Sequence, residues 1–229
     1  MTLLGAAAGL GGPAARLGDS VTTIQGRLVS LRPVSREDYP TLFRWRSSFD
    51  DIHLLNFRRR VAAFEEFVRE LESMLAGGAI LLLVRRAKEG SPIGYVMGVN
   101  VNPWDGTLEI AMYVEPRYQV KGFGGETALL FVDFLFKNYP LRHVTAATHE
   151  FNEQAMALCR AMGAEEAGMI PDNYWHGDRF WATYMFVLTR EGWVKRRADF
   201  VGIIQLQARF EGVHVAGHTH NGNGERGAQ

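Results

Sequence analysis

The chain has one cysteine in 229 residues, Cys159, which excludes an internal disulfide and any metal site built from cysteines alone. It also lacks net charge. Lys plus Arg and Asp plus Glu both number 25, so no overall positive field is available to hold nucleic acid or an anionic membrane. The short basic runs "FRRR" (Phe57 to Arg60) and "VKRR" (Val194 to Arg197) read as solvated faces, because phosphate contacts need a clustered patch. No stretch is apolar enough over sufficient length to cross a bilayer. The opening "MTLLGAAAGLGGPAARLG" lacks the basic start of a secretory leader, and Gly5, Gly9 and Gly11 break its apolar run. His214, His218 and His220 have no cysteine or acidic partner at ligand spacing, so no metal is expected. These absences together point to a cytoplasmic protein without nucleic-acid or membrane partners.

With 47% hydrophobic and 22% charged residues, the sequence suits one globular domain with a sizeable core. Residues 1–24 and 211–229 are rich in glycine and have no periodic apolar face, so they are expected to be a flexible extension and a disordered tail. Between them, residues 25–197 form the expected domain. Residues 198–210, "ADFVGIIQLQARF", form an additional apolar element that could add an edge strand, cover the sheet or pair two subunits as a homodimer.

Inside the domain, "GRLVSLRP" reads as a strand, and Ser35 with Asp38 as a capping box before a helix carrying Leu42, Phe43 and Trp45. Phe64, Phe67, Val68, Leu71, Met74 and Leu75 recur at helical spacing. Three strands are expected at Ala79 to Arg86, Pro92 to Val101 and Thr107 to Val114, joined by short turns into an antiparallel meander. A helix from Thr127 to Phe136, the strand "HVTAATHE", a helix from an Asn152 cap, and two strands about the "HGD" turn follow. The fold class is therefore α+β, a mixed and mostly antiparallel central sheet with helices on both faces.

The stretch "EPRYQVKGFGGETALLFVDFLF" places Gly122, Gly124 and Gly125 at the mouth of an apolar helix. Such a turn exposes backbone N–H groups beside a helix N-terminus, an arrangement that favours an anion and most commonly phosphate. It fits neither the dinucleotide fingerprint, whose third glycine is missing, nor the Walker A motif, which needs Gly-Lys-Ser/Thr. The alternative is a tight strand-to-helix link that binds nothing.

"QVKGFG", Gln119 to Gly124, resembles the Gln/Arg-x-x-Gly-x-Gly/Ala signature of the GCN5-related N-acetyltransferase (GNAT) superfamily. The wider stretch from about Gly26 to Arg196 resembles its subgroup that acetylates ribosomal-protein N-termini and small amines, in the opening "GRLVSLRPVSREDYPTLFRWR", the block "ATHEFNEQAMALCRAMGAEEAG" and the closing "NYWHGDRFWATYMFVLTREGW". That resemblance implies acetyl-CoA as co-substrate. Its pyrophosphate would lie over Val120 to Gly125, with Gln119, Gly122 and Gly124 at the signature positions and Val120, Lys121, Phe123 and Gly125 contributing mainly backbone. Asn152 falls on the family's asparagine beside the pantetheine arm. Where many members carry a tyrosine thought to protonate the departing thiolate, this chain has Cys159, which leaves the general acid unassigned. Cys159 itself reads as a small core residue, in a stripe with Ala155, Leu158 and Met162. A catalytically degenerate member that binds coenzyme A as a sensor or interaction protein is the competing reading.

Acetyl transfer needs a neutral amine held near the thioester carbonyl and a donor for its oxygen. The resemblance assigns that donor to a backbone amide near Val114. Glu109, an acidic residue in mid-strand on the face of Ala111 and Tyr113, is the first candidate to accept the amine's proton, and Glu150 the second. Trp45, Phe49 and His53 from the early helical region, with Tyr174, Trp175 and His176 from the late hairpin, are the candidate lining for an amine-bearing small molecule or peptide N-terminus.

Overall fold

The computed structural model describes residues 23–48, 62–119 and 121–216, with side chains through Leu206. Phe49, His53, Val120, His218 and His220 lie outside the described residues, as do most of 1–24 and the end of the chain. Eight strands form one sheet in the order β1-β2-β3-β4-β5-β6-β8-β7. They are β1 (Ile24–Gln25), β2 (Val29–Pro33), β3 (Ile80–Arg86), β4 (Pro92–Asn102), β5 (Thr107–Val114), β6 (His143–His149), β7 (Glu165–His176) and β8 (Arg179–Thr189). Every pairing is antiparallel except β5 with β6. The mixed, mostly antiparallel sheet expected from the sequence is the sheet observed, with β8 inserted between β6 and β7.

Strand alternation sorts the core into two layers. Leu81 and Leu83 of β3 pack with Tyr95 and Tyr113 under α1 (Tyr39–Arg46) and α2 (Phe64–Ala76), whose Leu42, Trp45, Phe67 and Leu71 are buried. Leu82 and Val84 face the other way, with Val96 and Val114, under α3 (Phe123–Asn138). A strand covered on both faces has no polar side to offer, which is why β3 reads as an unbroken "ILLLV". α3 buries Phe131, Val132 and Leu135 to within 1% exposure. α4 (Glu153–Ala161) follows β6 on the α3 side, starting from Asn152, whose side chain accepts from the Ala155 amide at 3.1 Å.

β8 runs directly into α5, a single helix from Arg190 to Ala216. Its apolar run is therefore neither an edge strand nor a separate element, and it crosses both boundaries, 197/198 and 210/211, expected from the sequence. Trp193, Phe200 and Ile204 join the core beside α3, so this segment covers the helix layer. Asp133 of α3 accepts from Trp193 Nε1 (2.9 Å) and from Arg197, fixing the two helices together. Arg190 spans the C-terminal end of α3, donating to the Phe136 carbonyl that the helix end leaves open and to the Tyr139 and Leu141 carbonyls just beyond it. No helix among the described residues is long and apolar enough to cross a membrane.

Candidate active site

The site is made by two strands that part. β5 and β6 pair only at Thr107 with His143, Leu108 with Val144 and Glu109 with Thr145, then separate over the rest of their length. What they present to the gap follows from their outer partners. Glu115 donates its amide to Ile93 O at 2.9 Å, and bonded pairs alternate along the antiparallel β4–β5 ladder. The N–H and C=O groups of Met112 and Val114 therefore point away from β4, toward β6. On the other side, Glu150 donates its amide to Ala182 O at 2.9 Å, and the same alternation turns the backbone groups of Ala147 and His149 toward β5. The parting strands thus line a wedge with peptide donors and acceptors. Gln119 Nε2 takes the Val114 carbonyl at 2.9 Å, leaving the Val114 amide as that residue's polar group facing the gap.

At the open end of the wedge sits the N-terminus of α3. Gly122 precedes it in the left-handed conformation (φ 80°), which only glycine adopts without cost. The first ladder bond of the helix runs from Glu126 N to Gly122 O, so the amides of Phe123, Gly124 and Gly125 precede it and lack helical acceptors. Lys121 is exposed beside them. Glu126, at 7% exposure, anchors this helix end. Its carboxylate accepts from the backbone amides of Arg27 (3.0 Å), Leu28 (2.6 Å) and Val29 (2.7 Å). A further glycine, Gly94, lets β4 approach β5. A Cβ there would lie 2.0 Å from Tyr113 O.

A cavity of about 180 Å³ lies between the parting strands, α3 and α4, and reaches Ala111 and Ala147 as well. Asn152, Ala155, Leu158 and Cys159 line it from α4, Met112 from β5 and Thr148 from β6. The Cys159 thiol is pushed up to about 11 by burial, against the opposing charge of Arg160. It therefore lines the cavity as a protonated thiol.

The opposite face of the wedge has small residues, Ala111 and Ala147, between two aromatic walls. One wall is Trp45, Tyr95 and Tyr113, with ring centroids 5.7 to 6.3 Å apart. Trp45 is 3% exposed and donates to Glu115 Oε1 at 2.6 Å, so it braces the wall from behind. The second wall is His149, stacked on Tyr174 at 3.8 Å, with Phe151 between Tyr174, His176 and Trp181. His149 Nδ1 lies 3.0 Å from Thr183 Oγ1, which also accepts from Asn173 Nδ2. Where the strands meet, Glu109 is half-buried and accepts from Asn100 Nδ2 at 2.9 Å. Asn100 sits in a β4 irregularity with φ 51°, a conformation that aims its amide across at the carboxylate.

The structure thus gathers Glu109, Val114, Gln119, Gly122, Phe123, Gly124, Gly125, Asn152, Tyr174 and His176 around one wedge. It separates two others. Trp175 lies on the opposite face of β7 from Tyr174 and packs on Phe180, and Glu150 is exposed beyond the strand end. Glu126, Asn100 and Thr183 were not among the expected residues. A glutamate in the first turn of a helix that runs on as "TALLFV" was the one signal that could have found Glu126.

The acetyltransferase (GNAT) domain profile matches residues 28–165. Over 87 residues the chain is 25% identical to the uncharacterized N-acetyltransferase YnaD of Bacillus subtilis (strain 168), a match covering 38% of this chain and spanning about half, 51%, of that protein. Among solved structures, the spermidine N-acetyltransferase of Vibrio cholerae in complex with CoA and spermine superposes with TM-score 0.67 at 17% identity, over 73% of this chain and 98% of that one. RimL, a ribosomal alpha-N-protein acetyltransferase, superposes with TM-score 0.62 at 13% identity, over 73% and 93%. These structural likenesses show the fold.

Proposed function

Since the chain belongs to the acetyltransferase (GNAT) family, we propose that it transfers an acyl group from coenzyme A to a primary amine, on a small molecule or a peptide N-terminus, by direct attack in a ternary complex. The observation that carries this reading is the β5–β6 wedge, lined by inward peptide groups and closed at its open end by the α3 N-terminus. A pantetheine arm is a chain of amides and methylenes, and such a wedge offers both peptide partners and apolar walls. The amides of Phe123, Gly124 and Gly125, with the positive end of the helix dipole, suit a pyrophosphate. Lys121 belongs to the same turn, next to Val120 in the sequence, and Asn152 caps α4 beside the cavity.

The amine would approach over Ala111 and Ala147, the face carrying Glu109. Its nitrogen bonds to the thioester carbonyl carbon while the Val114 amide donates to the developing oxyanion, and the C–S bond then breaks. Glu109 takes the proton lost by the amine, directly or through one water, and the thiolate is protonated from solvent. The Cys159 thiol, weaker as an acid than an ordinary thiol, is poorly suited to that last step. Tyr113, Tyr174 and His176 line the approach with flat surfaces that suit the body of an amine substrate.

A screen of peptide N-termini, polyamines, amino sugars and small antibiotics for thiol release from acetyl-CoA tests the reading. Calorimetry showing no affinity for free coenzyme A would remove it. Coenzyme A binding with no turnover on any amine would favour the sensor instead.

A further inference from the structure

Strand alternation places Thr148 on the face of β6 from which Val144 packs under α3, and opposite His149, which stacks on Tyr174. It is 7% exposed and lines the cavity with Asn152, Ala155 and Cys159 of α4. The other two buried threonines are both bonded. Thr127 donates to Phe123 O at 2.8 Å, and Thr183 Oγ1 lies against His149 Nδ1 and accepts from Asn173 Nδ2. Among the described residues the Thr148 hydroxyl meets no hydrogen-bond partner, although every side-chain N or O atom sealed inside that part of the chain has one. A buried hydroxyl normally takes a partner. This one opens onto the cavity and is left for a ligand.

Its level along the wedge follows from the last ladder pair. Glu109 lies opposite Thr145 and the strands are parallel, so equal steps bring Met112 level with Thr148 and Val114 level with Glu150. Thr148 is thus two residues, about 7 Å along the strand, from the amide that meets the thioester oxygen. The hydrogen bond at that amide, the thioester itself and a hydroxyl-to-sulfur contact together cover such a span. Breaking the C–S bond leaves a negative charge on sulfur beside Met112, Leu158 and Phe186, surroundings in which a hydrogen bond to that charge has its largest effect. Cys159 lines the same cavity, but burial makes its thiol a weaker donor of a proton than an ordinary thiol.

We propose that Thr148 is a catalytic residue whose hydroxyl donates to the thioester sulfur as the C–S bond breaks, and holds the thiolate until solvent protonates it. The inference rests on the acyl-transfer reading and adds the group that meets the leaving sulfur. The amine nitrogen bonds to the carbonyl carbon, the electron pair of the broken C–S bond stays on sulfur, and the Thr148 proton stays on its oxygen. A threonine hydroxyl is too weak an acid to surrender that proton. It acts by stabilising charge alone.

The test compares the full chain with Thr148→Val, which keeps the shape and removes the donor, by calorimetry on coenzyme A and desulfo-coenzyme A without an acceptor. At about pH 9, where an ordinary thiol is ionised, the ratio of the two affinities should fall about tenfold in the variant. Affinity for desulfo-coenzyme A should not change. With an amine that the screen identifies, kcat should fall by at least about tenfold while KM for acetyl-CoA holds, and Thr148→Ser, which keeps the hydroxyl, should restore most of it. If the valine variant fails to fold, Thr148→Ala carries the same comparison. An unchanged affinity ratio in the folded variant overturns the inference alone. So does an equal loss of affinity for both ligands, which would set the hydroxyl against the amides of the arm. Failure of the unaltered chain to bind coenzyme A overturns it together with the acyl-transfer reading.

Discussion

Glu109 and Thr145 are the last residues at which β5 and β6 pair, so a carboxylate held by Asn100 stands at the vertex of the wedge. Replacing Glu109 by Gln keeps the shape and removes the proton acceptor. Turnover at neutral pH should fall by at least about tenfold, with coenzyme A affinity unchanged. Asn100→Ala should move turnover the same way to a smaller degree. A pH–rate profile for Glu109→Gln that overlays that of the parent would transfer the role to solvent.

Gly122 holds φ 80° immediately before the ligand-facing amides of α3. Gly122→Val should cost about 1–2 kcal/mol of stability from left-handed strain and weaken coenzyme A binding by at least about tenfold, through displacement of the amides that follow. Melting curves and calorimetry on the same variant separate the two effects. Unchanged affinity in a folded variant would place the pyrophosphate elsewhere.

Glu126 satisfies three buried or part-buried peptide amides at once. Glu126→Ala leaves all three without that acceptor and should destabilise the protein by about 3–5 kcal/mol, measured by denaturant titration. Glu126→Gln, which keeps one acceptor oxygen, should lose less.

Cys159 should prove dispensable for chemistry. Cys159→Ala should lower stability by about 1 kcal/mol and leave the turnover number within a few-fold of the parent. With its thiol pushed up to about 11 by burial, roughly one molecule in a thousand carries the thiolate at pH 8. Alkylation at that pH should therefore be far slower than for an exposed thiol, and rapid modification would contradict the burial. A hundredfold loss of turnover in a stable Cys159→Ala protein would make the thiol the acid.

Tyr95 carries a pH signature of the aromatic wall. Burial pushes its phenol up to about 12 from 10.0, opposed by the charge of Arg46. The folded state thus favours the neutral phenol. Its contribution to stability is full below pH 10 and is lost as the pH rises through about 12. Ultraviolet titration should show one tyrosine ionising only above the ordinary range, and Tyr95→Phe should remove it.

The strands and helices that were legible in the sequence are those whose pattern is local. β5 alternates Glu109, Ala111 and Tyr113 against Ile110, Met112 and Val114, and the two sets do face different layers. The Asn152 cap and the turn at Gly122 were legible for the same reason. The parting of β5 from β6 was not, because a strand's own residues do not state where its neighbour stops pairing. α5 was missed for a different reason. Val194, Ile203 and Leu206 scatter apolar residues around the helix, hiding the stripe of Trp193, Phe200, Val201 and Ile204 that packs. Trp175 was grouped with Tyr174 because both belong to one aromatic run, although neighbours on a strand point to opposite faces.

The Glu126 contacts with Arg27, Leu28 and Val29 close loops of 97 to 99 residues. Loop closure on that scale is paid for in chain entropy before it returns any bonding, so contacts of such span form late in folding. The end of α3 that faces the wedge is secured to the sheet by this closure together with the burial of Phe123 and Ala128 in the core. A growing chain leaving the ribosome exposes the amides of 27–29 long before their acceptor is synthesised, and β2 must wait for it. The helix end that offers its amides to an anion is thus held in place by two parts of the chain nearly a hundred residues apart.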